Sequence, residues 1–188
     1  MSRLKDLLDR MVVTVRSPDN MIKARLYEQK RLQVAFRPGA YERYRADRLE
    51  HQLSRLGTLM WTGYRRGYYA ALGEVTGRAH DPSPRRATWD PNRRRFQEEQ
   101  ATTPFEGASP SGLVRVTNVG MMDWRVTVEP EALKLRDEHG FADELAAAGR
   151  SLLADYRVKT VVMKDEHYRL AIPDWMRLPK GTFREGRD

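Results

Sequence analysis

Residues 17–38 read SPDNMIKARLYEQKRLQVAFRP, and residues 109–130 read SPSGLVRVTNVGMMDWRVTVEP. Both stretches open on Ser-Pro and close on Pro, and one constant offset relates them: Pro38 matches Pro130, 130 − 38 = 92. In the first, Ile22, Ala24 and Leu26 alternate with Lys23, Arg25 and Tyr27, then Leu32, Val34 and Phe36 with Arg31, Gln33 and Arg37. In the second, Val114 and Val116 alternate with Arg115 and Thr117, then Trp124, Val126 and Val128 with Arg125, Thr127 and Glu129. A period of two sends one row of side chains into a core and the other into water, so each stretch predicts two strands of a half-buried sheet. Residues 17–20 and 109–112 have turn compositions. Gln29-Lys30 reads as a hairpin tip, and Pro38 and Pro130 stop the sheets.

Upstream of the first stretch, Leu4 to Met11 has helical spacing, and Val12-Val13-Thr14-Val15 is a β-branched strand signal. Downstream of each, the period changes. Leu49, Leu53, Leu56, Met60 and Tyr64 form one helical stripe, as do Phe141, Leu145, Ala148, Leu152 and Tyr156. Gly57, Gly63 and Gly67 allow a neighbouring element to approach the first helix closely, and Gly73 and Gly77 end it. The offset holds throughout. Over residues 17–69 there are nine identities, at Ser17, Pro18, Val34, Pro38, Ala40, Leu53, Gly57, Tyr64 and Arg65, and apolar character stays in step between them. An internal repeat follows. The expected fold class is α+β: two β-β-β-α units, 1–77 and 109–170, joined by a Pro/Arg-rich linker, 78–108, and followed by a tail, 171–188, in which Trp175 and Met176 pin onto the body. A single helix laid on three strands leaves a face uncovered, so the second unit should cover the first. That makes an intrachain pseudo-dimer, with the long helices packed together, and a monomeric chain in place of a homodimer.

The chain has 188 residues, net charge +8 and no cysteine. Disulfide frameworks and thiolate metal sites are thereby excluded, a composition that suits the cytoplasm. No apolar run reaches the ~20 residues of a membrane span. The basic excess is uneven: residues 1–77 hold 15 Lys and Arg against 8 Asp and Glu, and residues 109–170 hold 9 against 10. A basic half points to an anionic partner, nucleic acid first and a membrane surface second, with double-stranded DNA the expected partner.

Enzyme chemistry finds little support. His51, His80, His139 and His167 show no i+3 or i+4 pairing, and no phosphate-binding glycine loop or nucleophile elbow is present. Asp137-Glu138 and Asp165-Glu166 read as exposed helix ends with nothing to tune them. No catalytic, metal or cofactor residues are expected. The basic positions carry more. Lys23, Arg25, Arg31 and Arg37 fall on the outward row of the first sheet. Arg48, Arg55, Arg65 and Arg66 belong to the first long helix, Arg65 and Arg66 beside Tyr64, Tyr68 and Tyr69. Arg85, Arg86, Arg93, Arg94 and Arg95 belong to the linker. Guanidinium forks suit phosphate oxygens and need no base-specific fit.

The run Ser111-Gly112-Leu113-Val114-Arg115-Val116-Thr117, then Trp124 to Pro130, then Glu144-Leu145-Ala146-Ala147-Ala148, resembles the YbaB/EbfC family of bacterial nucleoid-associated proteins. Met21-Ile22-Lys23-Ala24 and Gln33 to Pro38 match it more loosely. The resemblance covers roughly residues 12–75 and 105–165. It implies DNA binding by a small homodimer without cofactor or catalytic residues. This chain departs by carrying two units, a basic linker and no long helix ahead of the first sheet. Related domains also occur among accessory proteins of actinobacterial type VII secretion, which implies a second expectation, a protein-interaction or chaperone-like adaptor.

Overall fold

The structure, a computed structural model, describes residues 3–28, 31–79 and 90–173. The hairpin tip Gln29-Lys30, the linker residues Arg85 and Arg86, and the tail with Trp175 and Met176 lie outside the described residues. The first half runs α1 (Arg3–Arg10), β1 (Val13–Arg16), β2 (Ile22–Tyr27), β3 (Arg31–Phe36), a 3-10 turn at Tyr41–Arg43, and α2 (Ala46–Thr76). The second runs α3 (Pro91–Thr102), β4 (Pro104–Ala108), β5 (Val114–Val119), β6 (Asp123–Val128), α4 (Ala132–Leu135) and α5 (Glu138–Tyr168). The fold is α+β, with two three-stranded antiparallel sheets in the orders β1-β2-β3 and β4-β5-β6.

The 92-residue offset holds pair by pair in the sheets. Val13 faces Leu26, and Phe105 faces Asn118; Ile22 faces Phe36, and Val114 faces Val128. The long helices obey it too: 46 + 92 = 138 and 76 + 92 = 168. Both end on a left-handed residue, Gly77 and Arg169. The paired turns explain why Ser-Pro recurs. Ser17 Oγ accepts the Ile22 N–H at 2.9 Å and Ser109 Oγ the Val114 N–H at 3.1 Å, each closing the same loop. The fourth residue of each turn is left-handed, Asn20 at φ 60 and Gly112 at φ 76.

Part of the stretch read as linker is structured. Asp90 accepts the N–H groups of Asn92 (3.0 Å) and Arg93 (3.4 Å), Pro91 stands at the first helical position, and α3 follows. Then β4 fills 104–108, so the second sheet begins before Ser109. Its one large buried side chain is Phe105, fully enclosed, which is why alternation did not announce it. Asp165 is not at an exposed helix end: it is 5% exposed and accepts the Ile172 N–H at 3.2 Å.

One hydrophobic core joins both halves, with Ile22, Phe36, Leu49 and Leu53 from the first and Val114, Val126, Phe141 and Leu152 from the second. The long helices pack chiefly on strands and not along each other. Helix α2 covers β6 and β1; α5 covers β3, β4 and part of β5. Every outer strand of both sheets therefore lies against a helix, and each helix serves both sheets. At β6 the cover is polar: Ser54 Oγ accepts the Val126 N–H at 2.9 Å and a Glu50 carboxylate oxygen the Val128 N–H at 2.8 Å. Those ladder donors would otherwise be left without a partner at a buried edge. No helix among the described residues is long and apolar enough to cross a membrane.

Candidate nucleic-acid interface

The inward row of the first sheet (Val13, Ile22, Ala24, Leu26, Val34 and Phe36) is buried. Pleating then turns the intervening side chains to solvent. Thr14 and Arg16 from β1, Lys23 and Arg25 from β2, and Arg31, Gln33 and Ala35 from β3 are all exposed, and Arg37 continues the row. Register brings these cations side by side. Arg16 lies opposite Lys23, Thr14 opposite Arg25 and Arg25 opposite Gln33, while Arg31 lies opposite Tyr27. The structure thus gathers Lys23, Arg25, Arg31 and Arg37 on one face. It adds Arg16, which sequence reasoning missed by ending the strand at Val15; continuing the alternation one residue would have found it.

The electrostatics of this face have no structural motive. Like charges placed directly across an antiparallel pair are unfavourable, and Arg16 and Lys23 are such a pair. Among the described residues, Asn20 Oδ1 accepts from Arg16 Nη1 at 3.2 Å and Glu28 lies 3.0 Å from Arg31. Arg25 lies 5.5 Å from the centre of the Tyr27 ring. The equivalent face of the second sheet is balanced. Arg115 and Arg125 share it with Glu106 and Asp123, and Arg115 lies 4.0 Å from Glu106.

The other candidates go elsewhere. Arg48 lies 3.8 Å from Asp19 and over the Tyr44 ring at 6.0 Å, in the network that fastens the β1–β2 turn. Burial opposes ionisation of Asp19. Hydrogen bonds from Ser17 Oγ (2.6 Å), Tyr44 Oη (2.7 Å) and the Met21 N–H (3.1 Å) outweigh it and hold the carboxyl below its ordinary range. Arg55 and Arg66 occupy the solvent side of α2, a different surface from the sheet face. Arg94 and Arg95 are exposed in the first two turns of α3. Arg65 and the exposed Arg93 line a solvent-open cleft between the two sheets and the long helices, where Arg65 sits 5.9 Å from the Tyr69 ring centre. Tyr64 stacks on both Trp61 and Tyr68 along α2. No group of three or more histidines and acids that could hold a metal occurs among the described residues. A comparison with known proteins found no family model that matches this chain and no similar curated protein.

Proposed function

We propose that the chain is a cytoplasmic, nucleoid-type DNA-binding protein that grips duplex phosphates without strong sequence preference, through the outer face of its first sheet. The observation that carries this reading is the row of five cations, Arg16, Lys23, Arg25, Arg31 and Arg37, of which Arg31 is paired with Glu28, set against a balanced face at the equivalent place in the second sheet. A flat, cationic, pleated surface offers point contacts to phosphates and no element shaped for a groove, so backbone contact is the mode it favours. We further propose that the tandem arrangement is a YbaB/EbfC-like dimer written into one chain. Support comes from the common register and from the long helices, each of which covers strands of both sheets. On this reading the chain is a monomer near 21.9 kDa, and light scattering after size exclusion tests it.

Fluorescence anisotropy with two unrelated duplexes over a range of salt tests the DNA reading. Affinity should fall linearly on a log–log plot. Converting Arg16, Lys23 and Arg25 to alanine should lower the slope by roughly 0.9 for each phosphate no longer neutralised, equally on both duplexes. Arg115→Ala with Arg125→Ala should change it little. Equal losses from both sets defeat the asymmetric model. No binding at low salt defeats the DNA reading and leaves the protein-adaptor function in its place.

A further inference from the structure

The nine identities between the two halves fall into two groups. Ser17, Pro18, Pro38 and Ala40, with Ser109, Pro110, Pro130 and Ala132, build the turns before β2 and after β3 and their counterparts. The other five pairs are Val34/Val126, Leu53/Leu145, Gly57/Gly149, Tyr64/Tyr156 and Arg65/Arg157. All ten of those residues line one cavity of about 680 Å³ between the two sheets and the long helices. Val34 and Leu53 would recur for core packing alone. Tyr156 also packs on the core, edge-on to Phe105 at 5.1 Å, but the arginine that follows each tyrosine is not a core residue: Arg65 is half-buried and Arg157 exposed.

The lining has a consistent chemistry. Its body is apolar and aromatic: Leu56, Met60, Trp61, Trp124, Leu152 and Leu153 are representative. Its charged members are Arg65, Arg93, Arg150 and Arg157, joined by Gln97 and Gln100 from α3, and no aspartate or glutamate lines it among the described residues. The two tyrosines come together at Trp61, and the charge of Arg157 acts on Tyr64. Trp61 stacks on Tyr64 at 5.6 Å and meets Tyr156 edge-on at 6.0 Å, and Gln100 approaches Tyr156 Oη at 3.4 Å. Burial pushes both tyrosine hydroxyls above their ordinary range, so they remain neutral hydrogen-bonding groups. The space opens to solvent, where Arg93, Arg150 and Arg157 are exposed, and its size of about 680 Å³ lies within the ~300–1,000 Å³ of sites that bury small ligands. The cavity is also separate from the DNA-facing row. Ala24, Leu26, Leu32 and Val34 line it, whereas the alternating Lys23, Arg25, Arg31 and Gln33 point out of the other side of the sheet.

We infer that this cavity binds an amphipathic anion: an apolar chain held between the helices, with a single terminal carboxylate taken by Arg65 and Arg157 and the hydroxyls of Tyr64 and Tyr156. The walls suit the apolar body, and guanidinium forks suit a carboxylate.

The test uses the full-length protein and 12-bromododecanoate, below its micelle concentration, with tryptophan fluorescence as the readout. Trp61 and Trp124 stand in the wall, so binding inside the cavity quenches them saturably and at one ligand per chain. Unbrominated dodecanoate competes, and dodecylammonium does not. Arg65→Gln with Arg157→Gln should weaken dodecanoate at least tenfold in calorimetry. Lys23→Ala with Arg25→Ala should leave it unchanged, which keeps this result independent of the DNA reading. Leu153→Trp fills the space from one wall and should abolish quenching while circular dichroism stays native. Non-saturable quenching, equal binding of the ammonium analogue, or full affinity in the double arginine variant would overturn the proposal.

Discussion

The first half brings helix and strand together through glycines in the helix; the second half does so through a glycine in the strand. On α2, Gly63 and Gly67 face β1 and the end of α1: a Cβ at Gly63 would stand 2.6 Å from Val13 Cγ1, and one at Gly67 2.2 Å from Met11 Sδ. At the equivalent positions α5 carries Asp155 and Lys159, which work on the open edge of β4. Asp155 accepts the Glu106 N–H at 3.1 Å, and Lys159 Nζ donates to the Pro104 carbonyl at 2.8 Å. Those side chains satisfy the edge, and the strand makes room by giving up its own Cβ at Gly107, where unit one has Val15. The opposite edges reverse the pattern: α2 offers Glu50 and Ser54 to β6, while α5 offers Ala142 and Ala146 at the matching sites. One register is thus closed by two different solutions to the edge-strand problem.

The largest expected effect comes from removing the strand glycine. A Cβ at Gly107 would lie 2.2 Å from the Leu152 nitrogen and 2.4 Å from the Ala148 carbonyl oxygen, both backbone atoms that cannot swing aside. Gly107→Val should destabilise by about 3 kcal/mol or more. Val15→Gly, the reverse exchange, should cost only about 1–2 kcal/mol from reduced burial and added chain entropy. Urea titration of both decides, and equal losses would break the comparison. Next comes Ser54→Ala, which strands the Val126 N–H and should cost about 1–3 kcal/mol. Ala146→Ser, the converse change on α5, should shift stability by less than about 1 kcal/mol.

Acid should then separate the turns. In unit one the charge is on the turn: Asp19 is hydrogen-bonded by Ser17 and Tyr44, and its own N–H donates to Gln52 at 3.1 Å. In unit two the charge is on the helix. Glu144 accepts from Ser111 Oγ at 2.6 Å and from Arg136 Nε and Nη2 at 3.1 Å, and these bonds hold its carboxyl below the ordinary range against the cost of burial. Both native carboxyls are depressed, so each contributes stability above the ordinary carboxylate pKa and loses it as pH falls through the native value. Thermal melts from pH 7 to pH 3 should fall. Asp19→Asn and Glu144→Gln should each flatten the acid limb, and no change in its slope would remove both networks from the account. The smallest effect belongs to Gly67→Ala. Met11 is flexible, and alanine gains roughly 1 kcal/mol in a helix interior, so stability should stay within about 1 kcal/mol of the parent.

Much of this was legible because alternation and helical stripes are strong signals where side chains are large. Ile22 to Phe36 and Val114 to Val128 announced their strands, and the shared offset implied their common pairing. Strand β4 was hidden because Pro104 and Gly107 carry no strand preference, and only Phe105 anchors it. Helix α3 was obscured by Arg93-Arg94-Arg95, charges unfavourable at a helix start, although Asp90-Pro91 is a good opening. Extending the offset upstream from β1 would have located β4 at 105–108. The outward basic row could be read from alternation; its neighbour Arg16 needed the register. The repeated Tyr-Arg was visible as an identity, but its place in a shared cavity depends on residues from seven elements and no local pattern encodes it.

The helical cover on β6 also sets an order of events during synthesis. Ser54 and Glu50 reach donors 72 and 78 residues further along the chain. When α2 has left the ribosome, the edge it is made to cover has yet to be translated. Its apolar stripe, with Leu49, Leu53 and Leu56, has the first sheet to pack on but lacks β6 until that strand emerges. Contacts so distant in sequence form slowly, and exposed apolar stripes invite mispairing meanwhile. A nascent chain stalled between the halves therefore presents an adhesive helix, and two such chains on one messenger could complete each other in place of themselves.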